Sequence, residues 1–253
     1  SKHVILAGDD DQAIYGWAGA DVQRFQEEPA KDIVLPQSYR VPQAVQQIAD
    51  QILNRIPDDR RIKKQWAPRP ETGNVDHITS IEDAPLHQSD WLILARTNDK
   101  LIKLKSVLRD MPIYFEIKGR KSYKTRLYTA IKNYTRWTKG DKLSLSECKD
   151  LFEYLELDQE LKEERMYDLQ EFGYKTTDEW YEVFKSDPEE CLYIREMLRS
   201  GEKLDSPARV KLSTIHAAKG GEATNVLIIL DNTKKIREAL DKSEDKQDEE
   251  HRV

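Results

Sequence analysis

The chain is poor in cysteine, in long apolar runs and in net positive charge, and each scarcity excludes something. Two cysteines among 253 residues, Cys148 and Cys191, support neither a disulfide framework nor a cysteine zinc site. Both fall in helical patterns and read as inert thiols, so a reducing, cytoplasmic setting is expected. His3, His77, His87 and His251 lack metal-ligand spacing. No apolar stretch approaches the ~20 residues of a membrane span, and no signal-peptide pattern opens the chain. A formal net charge of −6 argues against a globally basic nucleic-acid coat. It leaves a local basic groove open, because recognition follows charge distribution rather than the total.

What is present is a heavily charged globular chain, 38% hydrophobic and 35% charged, large enough for one big domain or a domain with an insertion. Short β-branched runs recur at Val4–Ala7, Asp32–Leu35, Val75–Thr79, Trp91–Ala95, Ile113–Ile117, Val210–Ile215 and Val226–Leu230. Several are continuously apolar, the pattern of strands buried on both faces. Helical spacing fills Pro42–Arg55, Asp99–Arg109 and Arg126–Trp137. Alternating strands and helices predict an α/β fold with a parallel, doubly wound sheet. Between about residues 140 and 205 the strands stop, and amphipathic helix with aromatics and leucine inside predicts a small all-helical insertion. Trp180, Tyr181 and Phe184 read as its core. The charged segment Lys234–Arg252 reads as a solvated helix that packs one face. The chain opens on a strand without a preceding helix and closes just after that acidic segment, so a piece of something longer is expected.

Three stretches carry chemistry. Gly8-Asp-Asp-Asp-Gln-Ala-Ile-Tyr-Gly-Trp-Ala-Gly-Ala-Asp21 follows an apolar run, which places it at the ligand-binding edge of a parallel sheet. Asp9, Asp10 and Asp11 can meet cations or cap amides. Gln12 can orient water or touch a phosphate oxygen, and Tyr15 and Trp17 offer flat faces of the kind that stack on bases. Taken alone, a solvated acidic turn before two core aromatics explains the loop equally well. In Leu35-Pro-Gln-Ser-Tyr-Arg40 an aromatic beside an arginine can stack on a base while the guanidinium reaches a phosphate; by itself this signal is weak. Ser213-Thr-Ile-His-Ala-Ala-Lys-Gly-Gly-Glu222, between two strands, is far more specific.

In order and content these stretches resemble motifs III, IV and V of superfamily 1 DNA helicases of the UvrD/Rep type. The resemblance implies a RecA-like fold and a set of roles. Gln12 would sense the γ-phosphate of ATP, and Arg40 would act on it as an arginine finger. Tyr39 would stack on adenine and Glu222 would bind the ribose. Tyr15 and Trp17 would contact single-stranded DNA, and Thr214 and His216 would couple DNA contact to the nucleotide cleft. Arg96-Thr97-Asn98 matches the family's RTN element, whose Arg and Asn face DNA. Gly119-Arg-Lys121-Ser-Tyr123 is a looser match to a glycine-basic-aromatic turn, with Lys121 facing DNA. It also implies a division into the end of a first motor domain (1–28), a second RecA-like motor domain (29–139 and 206–253) and a reduced 2B-like insertion (140–205).

Departures are Ala18 where the family carries Arg, Ser38 for Asn and Gly221 for Leu. No G-x-x-x-x-G-K-[ST] occurs, so no phosphate cradle is present. The Asp-Glu pair that holds Mg2+ is expected upstream of Ser1, and the motif VI arginine beyond Val253. The reading is therefore part of an ATP-dependent 3′ to 5′ single-stranded DNA translocase or helicase of DNA replication or repair. It would supply one wall of an ATP cleft and part of a DNA channel, and would be inactive alone without the remainder of the first motor domain. ATP and Mg2+ belong to the complete enzyme; no cofactor or metal site is expected in this chain. The alternative is a non-catalytic DNA- or protein-binding module derived from a helicase, which retention of Gln12, Arg40 and Glu222 together speaks against. A metal nuclease built on Asp9 to Asp11 lacks companion ligands.

Overall fold

Trp91-Leu-Ile-Leu-Ala95 is apolar at every position and forms β1 (Trp91–Ala95) of a five-stranded sheet in the computed structural model. That structure describes residues 5–29, 31, 33–157, 161, 164–173 and 178–253, without the side chains of Trp17 and Leu169. The other strands are β2 (Phe115–Ile117), β3 (Arg120–Lys121), β4 (Val210–Thr214) and β5 (Asn225–Ile229). Their order is β3-β2-β4-β1-β5. β1 runs parallel to β4 and β5, and β2 parallel to β4. β3 returns antiparallel to β2 through Lys118 and Gly119, whose φ angles of 51° and 72° make a two-residue hairpin turn. The chain is thus α/β with a mostly parallel sheet.

The helices in chain order are α1 (Val22–Glu27), α2 (Gln43–Leu53), α3 (Asn98–Asp110), α4 (Thr125–Thr138), α5 (Leu145–Leu155), α6 (Trp180–Val183), α7 (Pro188–Arg199), α8 (Lys234–Leu240) and α9 (Glu244–Arg252). Several starts are chemically marked. Ser144 and Glu147 form a reciprocal capping box on α5, and Asp187 caps α7 with Pro188 in its first turn. Such caps contribute about 1 kcal/mol each. α4 has no side-chain cap of its own; the buried carboxylate of Glu190 accepts from the Lys124 amide at 2.6 Å instead.

Two cores result. Leu101, Leu104 and Leu108 of α3 cover Ile93, Ala95, Phe115, Val210, Leu212 and Leu227 on one face of the sheet. The second core joins α4, α5, α6 and α7 around Trp137, Tyr134, Leu127, Leu151, Phe152 and Ile194. Tyr193 of α7 moors this helical layer to the sheet edge by donating to Ile113 O at 2.6 Å. Trp180 and Phe184 are buried in it, whereas Tyr181 is exposed. Among the described residues of 140–205 none joins the sheet, and Leu143 with Tyr167 makes only an isolated bridge.

Three expected strands do not form. Residues 5–7, 33–35 and 75–79 are irregular, while Val4 and Asp32 lie outside the described residues. Ile5 is 93% exposed and Leu35 80%: each run has β propensity but no neighbouring strand among the described residues, and propensity without pairing does not hold an extended segment. The expectation of strands buried on both faces also needs correction at β5. Leu227 is buried, but Val226 and Ile228 on the opposite face are about half exposed. Both cysteines are buried, and burial pushes the Cys148 thiol up to about 11.

Candidate nucleic-acid and nucleotide face

The parallel register decides which side chains meet. Ala95 at the end of β1 lies opposite Thr214 at the end of β4, and the Ile215 amide donates to Ala95 O at 3.0 Å. The residues that follow, Arg96 and His216, therefore leave the same sheet edge side by side. Arg96 Nη1 stands 3.3 and 3.4 Å from the two ring nitrogens of His216. Thr214 turns the chain by accepting the Ala217 amide on its hydroxyl at 3.3 Å. Asn98 sits exposed at the first position of α3.

The opening loop closes over this pair from far away in sequence. Tyr15 donates its hydroxyl to His216 O at 2.6 Å, across 201 residues, and the two rings meet edge-on with centroids 5.7 Å apart. Lys219 donates to Gln12 O at 2.8 Å and lies 5.4 Å over the Tyr15 ring, a cation–π arrangement. Burial, then the Arg96 charge, lowers the pKa of His216, against a hydrogen bond to the Ile14 backbone. The ring is held neutral and can accept from the guanidinium. The side chain of Trp17 lies outside what the structure describes; its backbone belongs to the 3-10 turn Gly16–Ala18 beside Tyr15.

A second group surrounds Arg40. Its Nε lies 3.7 Å from Glu222 Oε2, with both side chains more than half exposed. Ser38 Oγ accepts from the Arg40 and Val41 amides at 3.3 and 3.1 Å, fixing the turn that presents Tyr39, 88% exposed. An open guanidinium, an open carboxylate and a bare aromatic ring suit phosphate, ribose and base. Lys219 ties the Gln12 carbonyl to the loop that ends in Glu222. The Gln12 amide donates to Asp9 Oδ2 at 2.6 Å. Lys121 stands apart: its ammonium donates to Tyr123 Oη at 3.0 Å and to Leu204 O at 3.1 Å, against the helical layer.

The three opening aspartates converge, with ligand-type oxygens within 4.8 Å of one another. A tethered cation already stands among them. Lys64 Nζ contacts Asp10 Oδ1 and lies 2.6 Å from Asp9 Oδ1 and 3.3 Å from Asp11 Oδ2. Arg61, itself buried, pairs with Asp11 through Nε at 2.7 Å and Nη2 at 3.2 Å. Burial opposes ionisation of Asp10, but hydrogen bonds from Lys64 and the Ile62 amide outweigh it and hold the pKa below the ordinary value. With an ammonium at their centre, these carboxylates do not fit a Mg2+ site.

Lys64 and Arg61 carry no sequence pattern that marks them, and α9 reads in the sequence only as part of a solvated helix packing one face. Its acids reach the face directly. Glu249 Oε1 accepts from the Gly16 amide at 3.2 Å, and Glu250 accepts from Arg96 Nε at 3.0 Å. Asp248, on the packed face of this helix, is buried and pairs with Arg60 at 2.8 Å.

No family model matches the chain. Whole-chain comparison finds similarity to proteins described as ATP-dependent DNA helicase PcrA. The Staphylococcus epidermidis protein (strain RP62A) is 27% identical over 157 residues, covering 53% of this chain and 21% of the relative. That of Leuconostoc citreum is 29% identical over 153 residues, 50% of this chain and 20% of the relative. That of Staphylococcus aureus (strain Mu50) is 26% identical over 158 residues. The chain thus spans about a fifth of the length of the relatives it matches. Similarity to these helicases over about half of the chain is consistent with the resemblance to a UvrD-type helicase fragment.

Proposed function

We propose that this chain is the part of an ATP-dependent, 3′ to 5′ single-stranded DNA translocase that joins one wall of the ATP cleft to the DNA channel. The observation that carries the reading is the Tyr15–His216–Arg96 cluster, in which three segments far apart in sequence converge on one sheet edge. A structural aromatic would be buried in a core; Tyr15 instead lines a partly open face, with Lys219 over its ring and Arg96 on the far side of His216. That is the composition of a single-strand site, in which rings take bases and cations take phosphates.

In this reading Tyr15 and Trp17 hold the strand by ring contacts, with Arg96 and Asn98 on its backbone. Thr214 and His216 sit between that channel and the nucleotide. Tyr39 takes the adenine face and Glu222 the ribose. Arg40 leaves its exposed carboxylate partner to face charge developing on the transferred phosphoryl group, and Gln12 senses the γ-phosphate. Mg2+ in the complete enzyme would neutralise phosphate charge and would be held by carboxylates outside this chain. The hydrogen bond from Lys219 to Gln12 O is a direct mechanical link between the two sites. Lys121 is the weakest DNA candidate, since its ammonium is engaged elsewhere.

The division into 1–28, a second motor domain of 29–139 plus 206–253, and a helical insertion at 140–205 belongs to the same proposal. The exposed apolar runs Ile5–Leu6, Ile33–Leu35 and Val226, Ile228 and Leu230 suit surfaces that pack against the rest of such a motor. A cytoplasmic setting goes with this reading. The test is direct. The purified chain should bind oligothymidylate in preference to blunt duplex, with affinity falling as salt rises, and should hydrolyse no ATP alone. DNA-stimulated hydrolysis by the chain alone, or no strand binding at low salt, would refute the proposal.

A further inference from the structure

Arg96 is held at two edges by this chain itself. Glu250 places both carboxylate oxygens on its Nε, at 3.0 and 3.2 Å, and His216 lies against Nη1. Both charged side chains are about four-fifths buried, and among the described residues nothing engages Nη2. The carboxylate has thus taken Nε, His216 holds Nη1, and Nη2 is left for another acceptor. An internal competitor for phosphate would instead be expected on the terminal nitrogens, the bidentate edge that oxyanions prefer.

The helix carrying Glu250 is itself tied down on the other side. Asp248 pairs with Arg60 at 2.8 Å, and Arg252 Nη2 donates to Arg60 O at 3.0 Å. Ser243 caps its start. Glu249 and Glu250 lie near the C-terminal end of α9, where carboxylates are disfavoured by the helix dipole, and each reaches one donor outside the helix. Glu249 takes the Gly16 amide and the Lys246 ammonium. A Cβ on Gly16 would stand 3.3 Å from both of its carboxylate oxygens, tight enough that the carboxylate would have to shift by a few tenths of an ångström. One helical turn therefore grips the Tyr15–Trp17 loop and Arg96 together.

We infer that Glu250 is a positioning residue for nucleic-acid binding: it fixes the guanidinium plane of Arg96 so that Nη2 meets a single-strand phosphate, while Glu249 holds the aromatic loop in register with it. The inference rests on the reading of Arg96 as a phosphate contact. Glu250 does not touch DNA; it acts through Arg96.

The experiment is fluorescence anisotropy of labelled oligothymidylate with the 253-residue chain, repeated across salt concentrations, for Arg96→Ala, Glu250→Ala, Glu250→Gln and the Arg96→Ala/Glu250→Ala double variant. Loss of Arg96 should weaken binding about tenfold and reduce the salt slope by about 0.7, the value for one single-strand phosphate. Glu250→Ala should weaken binding in the same direction and flatten the slope similarly. The double variant should match Arg96→Ala alone, and Glu250→Gln, which keeps an acceptor on Nε, should recover most of the affinity. Should Glu250→Ala fail to fold by circular dichroism, Glu250→Asp replaces it. That variant retains the charge but sets the carboxylate back by one methylene, and should still bind severalfold more weakly. Equal or tighter binding on removal of Glu250, with Arg96→Ala weakened, overturns the inference and leaves the DNA reading standing. Binding indifferent to Arg96→Ala, or absent in every protein, overturns both.

Discussion

The helical layer and the carboxyl edge of the sheet use aromatic residues in opposite ways. In the layer, Trp137, Phe152 and Phe172 pack on one another with centroids 4.8–6.2 Å apart, and Tyr134 and Phe184 meet edge-on. Those rings are spent on stability. On the open face Tyr39 is bare and Tyr15 is bounded by Lys219 and His216. Polar groups divide likewise: Glu190 and Glu202 are buried beside arginines of the fold, while Arg40 and Glu222 form a loose, open pair worth little in stability. Open groups of this kind mark the face proposed to bind strand and nucleotide.

That contrast can be broken from either side. The largest stability effect should come from Trp137→Ala, which empties a fully buried site and should cost about 3–5 kcal/mol. Strand affinity, measured below the lowered melting temperature, should stay unchanged; a parallel loss of affinity would show that the layer and the face are not separable. Lys64→Ala should come next. It strips an ammonium from the buried Asp10 carboxylate and its neighbours. The expected cost is about 2–4 kcal/mol, near the lower end for breaking a buried pair because Lys64 keeps some access to water. Unlike Trp137→Ala, it should also weaken strand binding, since the aspartates begin the turn that leads to Tyr15.

The smallest effect is a pH dependence. Burial, followed by neighbouring arginines, lowers the pKa of His216 and of His251. The folded chain therefore binds fewer protons than the unfolded one as pH falls through about 6.5, the ordinary histidine value. Stability from these two groups is fully present above that pH and is lost as pH falls toward their lowered folded values. The melting temperature should drop between pH 7.5 and 5.5, and His216→Gln should make the drop shallower. A drop unchanged in His216→Gln would locate the proton uptake elsewhere.

Legibility in the sequence followed local signal strength. α3 and α4 fall within a residue or so of their expected ends, because strict helical spacing of Leu101, Leu104, Leu108 and of Leu127, Ile131, Tyr134 coincides with real burial. β1, β4 and β5 were legible because apolar runs there find parallel partners. Ile33–Leu35 and Val75–Thr79 also carry β-branched residues but pair with no strand among the described residues, a difference that only tertiary contacts reveal. At the site, Tyr15, Arg96 and His216 stood out as residue types in motifs. Glu249, Glu250, Arg61 and Lys64 did not, since a charge run reads as solvated until its partners from distant segments are seen. The closeness of Gly16 to Glu249 is likewise seen only in the folded chain.

The most direct measurement compares Arg40→Ala and Trp17→Ala in the full-length protein, scoring ATP turnover and single-strand affinity at one fixed salt concentration. If the carboxyl edge holds two linked but distinct sites, Arg40→Ala should reduce turnover by roughly 10³–10⁵-fold, the scale of arginine fingers, with affinity nearly intact. Trp17→Ala should weaken strand binding by about 1–3 kcal/mol, the loss of one base–aromatic stack. The reverse pattern, with Arg40→Ala losing DNA and Trp17→Ala losing only hydrolysis, would contradict the account.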